Sequence, residues 1–388
     1  MADQFREDAL GVSGNTWIRT PNLDRLARGG VHFSNAYTPQ ALCTPARGAI
    51  MTGVYPHTTR LDHNLYGVDN AFQMPEFKLQ PNLPTLLREA GYRTGYIGKW
   101  HLGEANPGLF DYWNGYNSRL SHWMGKRNES AYRSDVETDD ASRFLEENRS
   151  RPFALFVSYY PPHTPYDPPK KYSAMYEGRA HADYYGAVTA IDSDVGRVLD
   201  KLKGLDLETK TFVSFTADHG ETFGQRAGSQ DKTVCYDESA KIPLLMRWPG
   251  HIPAGITYQG GVTSLDLMPS ILEAAGLKLP QRLEGHSRLG DLRSGRTGWR
   301  EPVFLENITQ KDVDGKPSIE RAVRTERWKL ILRDHPKNDL YDLETDPAEQ
   351  HDLFANQPAK VKELAKLIER WGEKLKDPVA VELARKQL

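Results

Sequence analysis

The chain has 388 residues, enough for one large domain, a smaller appended unit and an ample core. Its 50 Lys+Arg against 52 Asp+Glu give a formal net charge of -2, which supplies no global field for nucleic acid or an anionic membrane; any basic cluster has to act locally. No apolar run approaches the ~20 residues that span a bilayer, and two cysteines, Cys43 and Cys235, cannot staple a disulfide framework.

In chain order, Thr20 to Gly29 carries a capping threonine, Pro21 at the first helical position and Gly29 past the end, and predicts a helix. Thr44-Pro45, directly after Cys43, reads as the opening of another. Asn82 to Gly91 repeats the first pattern, and Tyr92 to Ile97 follows as a strand with Lys99 beyond it. Phe153 to Tyr160 and Thr211 to Thr216 are short apolar or β-favouring runs that end abruptly in polar residues, as strands buried on both faces do. Between them, Ala187, Ile191, Val195, Val198 and Leu202 recur at helical spacing over Asp183 to Leu202 and supply a crossover. The expected fold is α/β, a doubly wound and mostly parallel sheet flanked by helices. Cys235 is expected to be a small buried residue.

Near 285–300 the composition shifts to Gly, Ser, Arg and Leu without periodicity, which reads as a linker dividing a larger α/β unit, 1–290, from a smaller C-terminal unit, 291–388. There Pro302 to Glu306, Glu320 to Thr325, Trp328 to Arg333 and Asp339 to Leu343 read as short strands, and Ala359 to Lys376 as an amphipathic helix, forming a smaller α+β unit. Ligands of open α/β sheets bind beyond the carboxyl ends of the strands. Asp3, His163, Asp218 and His219 all stand where a predicted strand gives out.

Two runs carry the most information: Leu42-Cys43-Thr44-Pro45-Ala46-Arg47-Gly48, followed by Thr52-Gly53, and Gly91-Tyr92-Arg93-Thr94-Gly95-Tyr96-Ile97-Gly98-Lys99-Trp100-His101-Leu102-Gly103. They resemble the two signatures of the type I sulfatases of the alkaline phosphatase superfamily, C-x-P-x-R with a downstream T-G and G-Y-x-T-x-x-x-G-K-W-H-L-G. Pro161 to Tyr166, Thr216 to Glu221 and Asp231 to Ser239 resemble further family elements in the same order, and Arg321 to Thr325 with Leu340 to Pro347 resemble the family's C-terminal antiparallel subdomain, so the resemblance runs over essentially the whole chain. Met1-Ala2-Asp3-Gln4 resembles the end of the family's first core strand, whose preceding apolar residues are absent; a late-assigned or truncated start is expected, and no secretory leader can be read. The compartment stays open, family members often being periplasmic or secreted.

The resemblance implies hydrolysis of an organic sulfate ester, with a sulfated carbohydrate expected. It implies that a separate maturation enzyme oxidises Cys43 to formylglycine. It also implies a divalent metal on Asp3, Gln4, Asp218, His219 and residue 43, calcium first, with manganese or magnesium as alternatives; the His219 imidazole favours manganese or another transition ion more than all-oxygen ligation would. Arg47 would hold the formylglycine hydroxyl, Lys99 would bridge it to sulfate, and His101 would take the proton that releases sulfate. Asp218 would be the base for attack, with His163 and Lys232 facing the leaving oxygen. The chemistry needs charge compensation on three oxygens and an in-line nucleophile; a hydrated formylglycine offers two hydroxyls on one carbon, splitting one hard step into two. A helix opening after Cys43 would aim free N–H groups at the anion.

Phe110, Tyr112, Trp113, Tyr116 and Trp123, interleaved with Arg119, His122, Lys126 and Arg127, form an insert that either holds a sugar with a second anionic group or is a lid packed on its own aromatics. His57, Arg60, His63 and Asn64 are weaker candidates for the same pocket. Two other functions fit the motifs: a phosphonate, phosphate monoester or diester hydrolase on the same scaffold, and a sulfated-ligand binder without catalysis. No nucleic-acid partner and no membrane span are expected.

Overall fold

The computed structural model describes every residue except 68, 227–230 and 310–316. The strand Arg93–Lys99 pairs in parallel with Tyr112–Tyr116 on one side and Phe153–Pro162 on the other. Phe153–Pro162 in turn pairs in parallel with the two-residue strand Ala2–Asp3. Gly98, at φ 96, is needed for this closure: a Cβ there would meet the Ser158 carbonyl oxygen at 2.2 Å. A second sheet runs Val213–Thr216, Leu244–Arg247, Val31–Phe33, Ile256–Tyr258, and a parallel bridge from Ala2 to Ala217 joins the two edge to edge. Leu244–Arg247 is antiparallel to both its neighbours, so the sheet is parallel on one side of Ala2 and mixed on the other. The long crossover helix, Ala182–Gly204, packs on Phe153–Pro162 and buries Val188, Ile191 and Val195 in the main core.

Several local expectations change. Phe153 to Val157 and Val213 to Ser214 are half-buried rather than covered on both faces, because the strand between them is only two residues long. They border a cavity of about 720 Å³ that also touches Met1, Trp248, Leu267 and Ile271. Thr20 makes no side-chain cap; its hydroxyl accepts from Gly11 N–H and donates to Asp24. The stretch 285–300 is not an unstructured linker, since it contains the helix Leu289–Arg293, and Asp291 gathers Arg288, Arg296 and Arg300.

The C-terminal strands Val303–Thr309, Ser318–Arg324, Trp328–Arg333 and Asp339–Asp342 form an antiparallel sheet in that order. The helices Pro358–Leu375 and Pro378–Arg385 cover it with Leu364, Ile368, Trp371 and Leu383. The last helix was not expected, although Asp377-Pro378 marks its start: the Asp377 carboxylate accepts from the N–H groups of Val379 and Ala380. Lys329 leaves this sheet fully buried, its Nζ 2.6 Å from Asp237 and 2.7 Å from Glu349. No helix among the described residues is long and apolar enough to cross a membrane.

Candidate active site

Cys43 is the first residue of the helix Cys43–Thr52, not the residue before it, and is buried. The helix end offers fewer free donors than expected: Thr44 N–H already donates to Asn64 Oδ1 at 3.0 Å and Pro45 has none. Positive charge at Cys43 therefore comes mainly from side chains. Its Sγ lies 3.5 Å from Lys99 Nζ, 3.8 Å from Lys232 Nζ and 3.2 Å from His219 Nε2. Burial alone would push the thiol up, but Lys232 and Lys99, helped by His219, hold it well below its ordinary value.

Behind Cys43 stand two fully buried carboxylates, Asp3 at the end of its strand and Asp218 just after Val213–Thr216. Arg47, four residues along the helix from Cys43, clamps both: Nη2 reaches Asp3 Oδ2 and Asp218 Oδ2 at 2.9 Å each, and Nε donates to Asp218 Oδ2 at 2.9 Å. Its Nη1 donates to the Lys99 carbonyl at 2.6 Å and Ser158 Oγ at 2.7 Å, so the guanidinium is saturated and makes no hydrogen bond to Cys43. Beside the unmodified Cys43, Arg47 clamps the two acids.

The clamp leaves the other oxygens facing inward. Asp3 Oδ1 and Asp218 Oδ1 lie 3.8 Å and 3.7 Å from His219 Nε2. His219 Nδ1 donates to the Gly220 carbonyl at 2.9 Å, which fixes Nε2 as the atom presented to the cluster. Ligand atoms of Asp3, Cys43, Asp218 and His219 all lie within 4.8 Å of one another, the span of one ion's coordination shell. Burial lowers the His219 pKa but Asp218 and Cys43 outweigh it, raising it to about 9. Burial and Asp3 push the Asp218 carboxyl up; burial and Cys43 do the same to Asp3, yet Lys99, His163 and Arg47 bring it well below its ordinary value. These donors fit a divalent cation. Gln4, at φ 62, contributes differently from expectation: its Oε1 accepts from Lys232 at 2.7 Å, its Nε2 donates to Glu221, and only its backbone N–H reaches Asp218, at 3.1 Å.

On the open side, a pocket of about 530 Å³ is lined by Cys43, Lys99, His101, His163 and Lys232, with Asn64, Tyr66, Arg119, Tyr160 and Asp231 further out. Lys99 is 2.5 Å from Asp3 Oδ2 and lies 4.4 Å over the Tyr160 ring. Lys232, a surface lysine on composition alone, is 7% exposed and donates to His163 Nε2 at 3.1 Å. Burial, Lys232 and Lys99 bring His163 down to about 4, and its Nδ1–H donates to the Thr164 carbonyl at 2.7 Å, so it presents a neutral acceptor. His101, at φ 56, has both ring nitrogens buried without a hydrogen-bond partner among the described residues, and burial lowers its pKa.

Most of the insert packs on its own neighbours, and Arg119 stands apart from the rest. Phe110 and Trp113 pack on Tyr96 and Trp100, Tyr116 donates to Glu137, and Trp123 packs on Tyr132. His122 is buried against Asp167, while Lys126 and Arg127 pair with Glu129 and Asp183. Only Arg119 of that set reaches the pocket, as does Asn64 of the weaker set. His57 instead meets Glu306 at 2.6 Å, and Arg60 and His63 are exposed. Tyr66 and Tyr160 were missed; Tyr160 was signalled by its place at the end of a strand leading into Pro161-Pro162-His163, and Tyr66 by nothing local.

A family model described as sulfatase matches residues 1–277, and one described as N-sulphoglucosamine sulphohydrolase, C-terminal, matches residues 226–377. The chain is 29% identical to an ulvan-active sulfatase of Formosa agariphila, covering 91% of this chain and 76% of that protein. It is 26% identical to N-acetylglucosamine-6-O-sulfatase of Bacteroides thetaiotaomicron, covering 97% and 86%. The solved structure of yidJ from Bacteroides fragilis superposes with a TM-score of 0.85 at 26% identity over 99% of this chain and 96% of that one. The phosphonate monoester hydrolase of Agrobacterium radiobacter shares the fold, with a TM-score of 0.80 at 22% identity over 100% and 95%. With that match across residues 1–277 and relatives named as sulfatases along nearly its whole length, the chain belongs to the sulfatase family, and its reaction is the hydrolysis of a sulfuric ester.

Proposed function

We propose that this sulfatase removes sulfate from a sulfated carbohydrate, using a formylglycine that a separate maturation enzyme makes from Cys43, and a divalent cation held by Asp3, Asp218 and His219. Calcium is the first choice, with manganese or magnesium as alternatives. One observation carries the reading: Cys43 lies between a cation-lined pocket and a buried set of metal-type donors. The carbohydrate class rests on the relatives, which are named for ulvan and for N-acetylglucosamine 6-sulfate.

Oxidised and hydrated, residue 43 would supply one hydroxyl for attack on sulfur and a second whose deprotonation would expel sulfate, and a cation held by Asp3, Asp218 and His219 would supply charge that polarises the sulfate oxygens. Lys99 and Lys232 neutralise the remaining oxygens from inside the pocket wall. Asp218, raised by burial and beside residue 43, takes the attacking proton; Arg47 keeps its Oδ1 aimed inward by holding Oδ2. His101, kept neutral by burial beside residue 43, accepts the proton whose loss releases sulfate. His163, fixed by Thr164 and Lys232, presents Nε2 at the leaving-group side, and Lys232 donates there. The division at residue 290 is proposed in the same spirit: the unit 291–388 steadies the segment carrying Lys232 through Lys329, Asp237 and Glu349.

The test is peptide mass spectrometry at residue 43, alongside turnover of 4-nitrophenyl sulfate, a phenylphosphonate ester and a panel of sulfated mono- and disaccharides. The reading expects an aldehyde and preference for sulfate esters of sugars. Full activity from protein carrying only a thiol, or preference for the phosphonate ester, would sink it.

A further inference from the structure

The innermost pocket wall accounts for one sulfate group, but the pocket mouth carries a cation that this chemistry does not use. Arg119 is exposed at the rim, and no carboxylate among the described residues lies within ion-pair distance of it. It is nonetheless held in place. Its backbone stands in the left-handed region at φ 63, uncommon for a residue with a Cβ. It lines the pocket together with Tyr160, whose ring lies under Lys99. Its guanidinium lies 4.2 Å over the ring of Tyr66, which is 40% exposed and stands 5.4 Å, ring to ring, from His101. His101, Tyr66 and Arg119 thus form a ladder from the pocket floor to its rim.

We propose that Arg119, seated on Tyr66, is a specificity-determining residue that binds a second anionic group of the substrate, a carboxylate or a second sulfate on the same or the adjoining sugar. The inference rests on the sulfatase reading of the pocket below it. A planar guanidinium without a protein acid offers paired N–H donors to either oxyanion, and stacking on Tyr66 limits the rotamers lost on binding. Asp231, the acid in the lining, sits 3.7 Å from Lys232 and is balanced there. Tyr66 is a positioning residue: it acts through Arg119.

Binding and turnover are read separately. Calorimetric titration of the Cys43→Ala protein uses a hexose monosulfate, the corresponding disulfate and a sulfated hexuronic acid, with and without Arg119→Ala, Arg119→Lys and Tyr66→Phe. The expected result is about ten- to a hundredfold tighter binding of a dianionic ligand over the monosulfate. Arg119→Ala removes that ratio, Arg119→Lys retains part of it, and Tyr66→Phe retains most. Preference for the disulfate alone or the uronate alone identifies which oxyanion the site takes. Equal affinities for all three ligands, or a preference that survives Arg119→Ala, overturns the proposal. Hydrolysis of 4-nitrophenyl sulfate by matured Cys43 protein reports on the sulfatase reading independently.

Discussion

Arg47 holds two acids, and its removal has a calculable effect. In Arg47→Met the chain keeps a long side chain but leaves Asp3 and Asp218, both fully buried, without their shared guanidinium. Breaking a buried ion pair by deleting one partner costs about 3–5 kcal/mol. With two carboxylates losing one cation, the upper end applies, against a typical total stability of about 5–15 kcal/mol. The assay is urea unfolding of metal-free wild type and variant near neutral pH, repeated with saturating calcium. Calcium should stabilise the variant more than the wild type, because the cation meets uncompensated charge. The pH dependence has a definite sign: Asp3 sits below its ordinary value of 3.8, so the stability it contributes in wild type is present above that pH and is lost as the pH falls further. The gap between the proteins should narrow in acid. A loss under about 1 kcal/mol, or equal calcium shifts in both proteins, would refute the clamp.

Three further outcomes are expected. Stripping divalent metal should abolish turnover, and adding calcium at about a hundred times its dissociation constant should raise unfolding stability by about 2.7 kcal/mol, measured by thermal or urea unfolding; full activity after exhaustive chelation would contradict the donor assignment. Burial raises Glu137 to about 8, with Tyr116 as its one hydrogen-bond donor, so wild type should lose stability as the pH rises from 4.5 to about 8. Glu137→Gln should flatten that slope and be more stable at pH 8 by on the order of 3 kcal/mol in urea titrations, an equal slope in both counting against it. Lys329→Met strands Asp237 and Glu349, and a drop of about 3–5 kcal/mol is expected with weakened turnover; an unchanged denaturation midpoint would mean that the C-terminal sheet does not steady the Lys232 segment.

Chemistry-bearing residues were the most legible part of this chain because their motifs are local. Cys43, Lys99, His101, His163 and Asp218 each stand in a short run with recognisable neighbours, and strand endings place them at one edge. What each one touches was less legible. That Arg47 faces acids rather than residue 43 depends on Asp3 and Asp218, 44 and 171 positions away along the chain. The Thr44 amide is lost to Asn64, twenty residues on, which no propensity records. Tyr66 and Arg119 come together only in the folded molecule. The half-buried face of Phe153 to Val157 reads as fully apolar because a strand's sequence shows its own preference and not the length of its neighbour.

The seclusion of Cys43 also sets an order of events. The thiol is 1% exposed, Pro45 is buried in the same helix, and the Arg47 side chain is sealed against two acids and the Lys99 carbonyl. If the maturation proposed above takes place, the closed protein presents little of this stretch to an oxidising enzyme. On that proposal, oxidation would come before closure, while the chain from Cys43 to Arg47 is still loose. Asp218 and Lys232, needed to seal the site, are made much later during synthesis, which leaves a window. A chain that closed too soon would then stay an inert thiol with a sound fold, and the active fraction of a preparation would report the balance between oxidation and closure.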